Sequence, residues 1–264
     1  MVSDIVAKAV GDYEFMDLFR RAIHVELSNL VQLRQNADRF PTEDLGVAQG
    51  SALSPLLGNI ILADFDKQMN EGDCRCIRYI DDFIVLGPSA AAVMARIRLA
   101  KRILEALGMS FALNKTSQNA IPVTASFEFL GIEFNNSLIR PSGNARVKFL
   151  NTLRTTFEHG RKALIGYRNG QPLLKAHALL GTLKKADGVI QGWGKHYWFC
   201  NDQRCFENLD KEVGDLIRAY LGFYSKQREK VSPERAPMML GIEMLGAIER
   251  TPFEWRKPNS ARAA

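Results

Sequence analysis

Apolar positions along this chain change period several times, and each change marks an element. From Ile5 to Leu33 they recur at helical spacing, interrupted at Gly11-Asp12, so two helices are predicted there. Phe15, Leu18, Phe19, Ala22 and Ile23 form the stripe of the second. Residues 34–43 are polar, contain a proline and read as a loop. Ser54-Pro55 opens a further helix, because proline is tolerated in a first turn, where its missing N–H has no partner to lose. Leu56, Leu57, Ile60, Ile61, Ala63 and Phe65 give that helix a broad apolar face ending near Gly72.

Two short apolar runs follow, Cys76-Ile77-Arg78 and Phe83-Ile84-Val85-Leu86, around Tyr79-Ile80-Asp81-Asp82. This is a strand–turn–strand pattern with two carboxylates at its tip. Ser89 is the predicted N-cap of a helix through Leu107, with Met94, Ile97, Leu104 and Leu107 on one face and Gly108 as its stop. Ser110 to Leu113 reads as a short strand, and Ser126 to Phe134 as a second extended stretch turning at Asn135-Asn136. Helices alternating with antiparallel strands define an α+β fold class.

After Pro141-Ser142-Gly143 only helical periods remain. Val147, Leu150, Leu153 and Phe157 mark one helix, Leu173 to Leu183 a second and Phe206 to Phe223 a third. A small bundle with Arg and Lys on its outer faces is predicted. The boundaries this gives are residues 1–138 for the α+β part, 139–231 for the bundle and 232–264 for a partly irregular, proline-containing tail.

Composition changes this picture little. Of 264 residues, 46% are hydrophobic and 24% charged, as in an ordinary globular protein. Lys and Arg number 35 against 29 Asp and Glu, a net charge of +6 that is compatible with a polyanionic partner without singling one out. No apolar run approaches the ~18 residues of a membrane span. Asp4 and Lys8 interrupt any signal-peptide pattern, so a cytoplasmic protein without a membrane partner is expected. Cys74, Cys76, Cys200 and Cys205 lack zinc spacing and read as free thiols. His159, His177 and His196 show no triad or metal spacing.

The candidate chemistry lies at Asp81-Asp82. Two adjacent carboxylates repel each other, and the commonest stabiliser of such a pair is a divalent cation with oxygen ligands. Alone, the pair reads more readily as a solvated hairpin turn. Three further segments favour the metal reading. One is Gly46-Val47-Ala48-Gln49-Gly50 leading through Ser51-Ala52-Leu53 into Ser54-Pro55-Leu56-Leu57, a glycine-containing turn at a helix start. Lys115 is a candidate to meet phosphate charge, and Phe129-Leu130-Gly131-Ile132 is an apolar edge ending near a glycine.

In this order the segments resemble the palm of reverse transcriptases, most closely the bacterial group II intron-like and retron-like branch. Gln49-Gly50 with Ser54-Pro55-Leu56-Leu57 is similar to the family's fourth block, and Tyr79-Ile80-Asp81-Asp82 to its fifth. Leu107-Gly108 through Lys115-Thr116 is similar to the sixth, and Phe129-Leu130-Gly131-Ile132 to the seventh, the primer grip. The helices after residue 143 are placed like a thumb, and Gly192-Trp193 with Tyr197 resembles an element of intron maturases.

The resemblance implies an α+β polymerase palm followed by a helical thumb, acting as an RNA-directed DNA polymerase. Two Mg²⁺ ions, or Mn²⁺ in their place, would be held by Asp81 and Asp82. Lys115 would stabilise triphosphate charge. Gln49, Gly50, Ser54, Pro55 and Tyr79 would line the nucleotide and template pocket, and Phe129, Leu130 and Gly131 would grip the primer. Implied partners are an RNA template with a DNA primer, or structured RNA, and nucleoside triphosphates. The family also uses a third aspartate on an upstream strand. Asp4 is the one candidate, and its context reads as a helix N-cap rather than a strand. The palm is therefore expected to lack its first strand, through truncation or because a second polypeptide supplies the fingers and first aspartate. A catalytically incomplete, RNA-binding relative is the competing expectation.

Overall fold

The computed structural model describes residues 2–24, 51–112, 116–251 and 253. The chain divides between Pro122 and Val123 into two compact units, each with its own core. This division precedes the change of sequence character near residue 138, because the strands that follow it are bonded to the helical half through Arg140 and Asp202 and through Ile139 and Asn201.

In the first unit, α1 (Val2–Val10) and α2 (Tyr13–Ile23) are separated by Gly11, whose φ is +65°. Asp12 caps α2 by accepting from the Phe15 N–H at 3.0 Å. Val6, Met16 and Phe19 bury against Leu57 of α3 (Ser54–Ile61), which has Pro55 in its first turn. The single helix expected to run toward Gly72 is two, because α4 (Ala63–Met69) starts anew after Leu62. The break serves two cores at once. Leu57 belongs to the cluster with α1 and α2, whereas Leu62, Phe65 and Met69 belong to a second cluster under the acidic hairpin.

The hairpin consists of β1 (Arg75–Tyr79) and β2 (Asp82–Leu86), antiparallel, with Tyr79 opposite Asp82 and Ile77 opposite Ile84. Cys76, Phe83 and Val85 point to the second cluster, together with Ala100 and Leu104 of α5 (Ala90–Ala106). Ser89 caps α5 by accepting from the Ala92 N–H at 3.2 Å. The strand expected at Ser110 to Leu113 is not formed over Ser110–Ala112, which is irregular; Leu113 lies outside the described residues. Phe111 anchors this stretch by packing on Phe83, with ring centroids 5.9 Å apart, instead of by a backbone ladder.

The second unit begins with a meander, β3 (Phe127–Phe129), β4 (Ile132–Asn135) and β5 (Leu138–Pro141). Both of its turns have two residues with positive φ, Leu130 and Gly131 in one, Asn136 and Ser137 in the other. That is the sign pattern of type I′ turns, whose twist suits antiparallel strands. The extended stretch from Ser126 is therefore a hairpin with its own turn at Leu130-Gly131, not a single strand.

Ser142, buried at the end of β5, caps α6 (Gly143–Arg168) by accepting from the Ala145 N–H at 3.2 Å. A 3₁₀ turn at Lys175–His177 leads into α7 (Leu179–His196), and Asp202 caps α8 (Gln203–Arg228). The second predicted bundle helix thus starts later than Leu173 and runs much further. Gly188, Gly192 and Gly194 dilute its apolar period, which hides it from a pattern reading. Leu153, Leu164 and Tyr220 are fully enclosed between these helices, and Met239 of the short α9 (Ala236–Leu240) closes the cluster. Val147, predicted for the buried stripe, is exposed, and Phe149 takes its place.

Candidate active site

The candidate site is the tip of the β1–β2 hairpin. Its two-residue loop is Ile80-Asp81. Ile80 has φ +59°, while Asp81 does not enter the positive region, the sign pattern of a type II′ turn. Glycine normally fills the first central position of that turn. A β-branched residue there is a true outlier, and such conformations cost about 1–3 kcal/mol unless their surroundings hold them.

Arg78 supplies that hold. Its Nε donates to Asp66 Oδ1 at 2.7 Å and its Nη2 to Asp66 Oδ2 at 2.5 Å, a two-point pairing with α4. Its Nη1 donates to Asn59 Oδ1 of α3 at 3.0 Å and to the Ile80 carbonyl at 2.8 Å. The Arg78 side chain is only 8% exposed, and the Asp66 bond raises its basicity further, so it is permanently charged. Cys76, two residues back on the same strand face, has its thiol pushed up to about 11 by burial first and the Asp66 carboxylate second.

The opposite face of the hairpin is open within this unit. Tyr79 and Ile77 are exposed at 61% and 55%, and Asp81 and Asp82 are both exposed. The two carboxylates are hard oxygen donors, the right chemistry for Mg²⁺. They do not make a full ligand set. Among the described residues no group of three or more His, Cys, Asp or Glu side chains is placed to hold a metal ion. Asp4 is the third residue of α1, inside its first turn rather than at its N-cap. Ser54 and Pro55 start α3, the helix whose Asn59 reaches Arg78. Gln49, Gly50 and Lys115 lie outside the described residues.

Phe129, Leu130 and Gly131 sit in the second unit, at the β3–β4 turn. Leu130 is exposed at the tip, and the Gly131 carbonyl accepts from the Ser142 N–H at 2.9 Å, tying the turn to the start of α6. Gly131 is glycine for its φ of +76°, since an added Cβ would meet only the Tyr197 hydroxyl at 3.7 Å, an ordinary contact. A cleft of about 470 Å³ opens beside it, lined by Lys148, Phe149, Thr152, Trp193 and Tyr197 among others. Trp193 stacks on Phe149 at 4.4 Å and Tyr197 is buried, so both serve the packing, whereas Trp198 is 81% exposed.

Two arrangements had no counterpart in the sequence reading. One is the Arg78 clamp. Its signal was an arginine sharing a strand face with Cys76, a face that is otherwise apolar. The other is Arg140 of β5, whose Nη2 pairs with Glu133 Oε1 at 2.5 Å and Nη1 with Asp202 Oδ2 at 3.2 Å. Beside it Asn201 Oδ1 accepts from the Ile139 N–H at 2.7 Å, and its Nδ2 donates to the Ser137 carbonyl at 2.9 Å. Together they fasten the meander to the start of α8. The Arg140 bond is also the main reason that the Glu133 carboxyl lies below its usual range. Of these residues only Asp202 carries a local signal that could have marked it, an Asp shortly before a helix.

Residues 11–134, a little under half of the chain, match the family model of reverse transcriptase (RNA-dependent DNA polymerase). The matched stretch encloses the acidic hairpin and the Leu130-Gly131 turn, and the chain is similar to reverse transcriptases over it. No curated protein matches the chain. No helix among the described residues is long and apolar enough to cross a membrane.

Proposed function

We propose that this chain performs RNA-directed DNA synthesis, with Asp81 and Asp82 as metal ligands of a palm over residues 1–138 and a thumb over residues 139–231. The observation that carries this reading is a reverse transcriptase match surrounding two exposed carboxylates on a turn fixed by a buried arginine. Mg²⁺, when bound, would supply Lewis acidity at the 3′-hydroxyl and the transferring phosphate. Asp81 and Asp82 would hold it. Tyr79 lies directly across from Asp82 and would pack against the nucleotide; Gln49, Gly50, Ser54 and Pro55 would complete that pocket, and Lys115 would meet the triphosphate. Phe129, Leu130 and Gly131 would position the primer, and the exposed Lys148, Arg154, Lys162, Lys184 and Lys185 would track the duplex backbone.

Among the described residues, the pair at the turn is joined by no third carboxylate placed to share a metal ion. In this reading it comes from outside the described residues, from this chain or from a second one. The open hairpin face, with Ile77 and Tyr79 exposed, supports another segment lying there. The same shortfall favours the second reading, a catalytically incomplete relative that binds RNA.

Primer extension on an RNA template with Mg²⁺ separates the two. Extension by the full chain, alone or with a partner protein, that Asp81→Ala reduces by at least about 100-fold supports the enzyme. Extension unchanged by Asp81→Ala rejects the assignment. RNA binding with no extension under any combination supports the second reading.

A further inference from the structure

We propose that Arg78 is a positioning residue that sets the orientation of the Ile80–Asp81 peptide, and through it the direction in which Asp81 presents its carboxylate. Type I′ and type II′ turns differ by a flip of the central peptide. In this hairpin the central peptide is the Ile80 carbonyl with the Asp81 N–H. The flipped form places the second central residue at positive φ, a region that Asp tolerates well. An unassisted Ile80-Asp81 turn therefore has a ready alternative, with the Asp81 Cα–Cβ bond aimed elsewhere.

The Arg78 Nη1 bond to the Ile80 carbonyl, 2.8 Å long, exists only in the unflipped form. The guanidinium cannot follow the carbonyl around. Asp66 grips its Nε and Nη2 from α4, and Asn59 shares Nη1 from α3. A fork held at two points is pre-organised, so its third bond constrains the turn at little entropic cost. The strained φ of Ile80 is thus matched by a charged hydrogen bond of comparable size. Arg78 touches no reacting group in this account. It acts through Asp81.

The inference rests on the reading of Asp81 as a metal ligand, and its test keeps the two apart. Mn²⁺ binding to the full chain is measured by electron paramagnetic resonance, amide hydrogen exchange is followed at Ile80 to Asp82, and folding is checked by circular dichroism. Asp81→Ala tests the ligand assignment. If it leaves Mn²⁺ binding unchanged, that assignment fails, while exchange at the turn still reports on Arg78. Arg78→Gln is expected to weaken Mn²⁺ binding about fivefold, the size of one lost hydrogen bond, and to speed exchange at the turn. Where the chain extends primers, kcat should fall with KM for the nucleotide little changed.

Arg78→Lys keeps a charge beside Asp66 and serves if Arg78→Gln does not fold. A single ammonium cannot span Asp66 and the Ile80 carbonyl in the same fork, so the same direction is expected. Adding Ile80→Gly to either variant removes the strain and should recover part of the lost affinity, which a purely structural role for Arg78 would not do. A folded Arg78 variant with wild-type Mn²⁺ affinity and turn exchange overturns the inference. So does a loss that Ile80→Gly does not diminish.

Discussion

At Gly181 the absence of a side chain decides how closely two segments approach. A Cβ there would fall on the Lys175 carbonyl oxygen and the Ala176 backbone, which belong to the 3₁₀ turn packed under α7. Backbone cannot swing aside as a side-chain tip can. Gly181→Ala is expected to destabilise the second unit by about 2–3 kcal/mol, read as a lower urea midpoint with unchanged slope. A midpoint within error of wild type would show that the turn moves freely. At Ile80 the sequence breaks a local rule in the opposite sense, with a branched side chain where glycine is the easy choice. Gly181 clears space for packing. Ile80 stores strain at a site exposed to solvent, where packing gives no reason for it.

Among the elements, the meander shows how a short sheet is kept in place. Three strands of three or four residues are marginal alone. Arg140 joins β4 to the α8 N-cap through Glu133 and Asp202, and Asn201 pairs with the edge of β5. Glu133 has a folded pKa below its usual 4.5. Its contribution is therefore fully present above about pH 4.5 and is lost as pH falls below that value through the folded one. Urea midpoints measured from about pH 7 to pH 3 should fall more steeply for the wild type than for Glu133→Gln, which lacks the titrating group. Parallel slopes for the two proteins would remove Glu133 from the acid response.

On the scale of the whole molecule, the excess of cations is the relevant quantity. The net charge is +6, and Lys148, Arg154, Lys162, Lys184 and Lys185 are exposed on α6 and α7. Binding to an RNA–DNA duplex should weaken by about 40- to 500-fold between roughly 50 and 200 mM salt, for about three to five phosphates neutralised. Fluorescence anisotropy across a salt series reads the slope directly. A flat series would mean that these side chains do not meet phosphate.

The sequence by itself determined most of the order of elements and the place of the acidic hairpin. The acidic hairpin, the cap Ser89 and the helical second half follow from local pattern, because turns, caps and amphipathic faces depend on residues a few positions apart. Local pattern did not separate α3 from α4, since the break at Leu62 answers to two cores that only folding brings to that helix. It missed the extent of α7 and the turn at Leu130-Gly131 for related reasons, a helix rich in glycine and an apolar run that hides its own reversal. The state of the Ile80-Asp81 turn was beyond it altogether. Asp66 and Asn59 lie 12 and 19 residues from Arg78 in the chain, and only the packing of α3 and α4 against the hairpin lets them hold Arg78 at the Ile80 carbonyl.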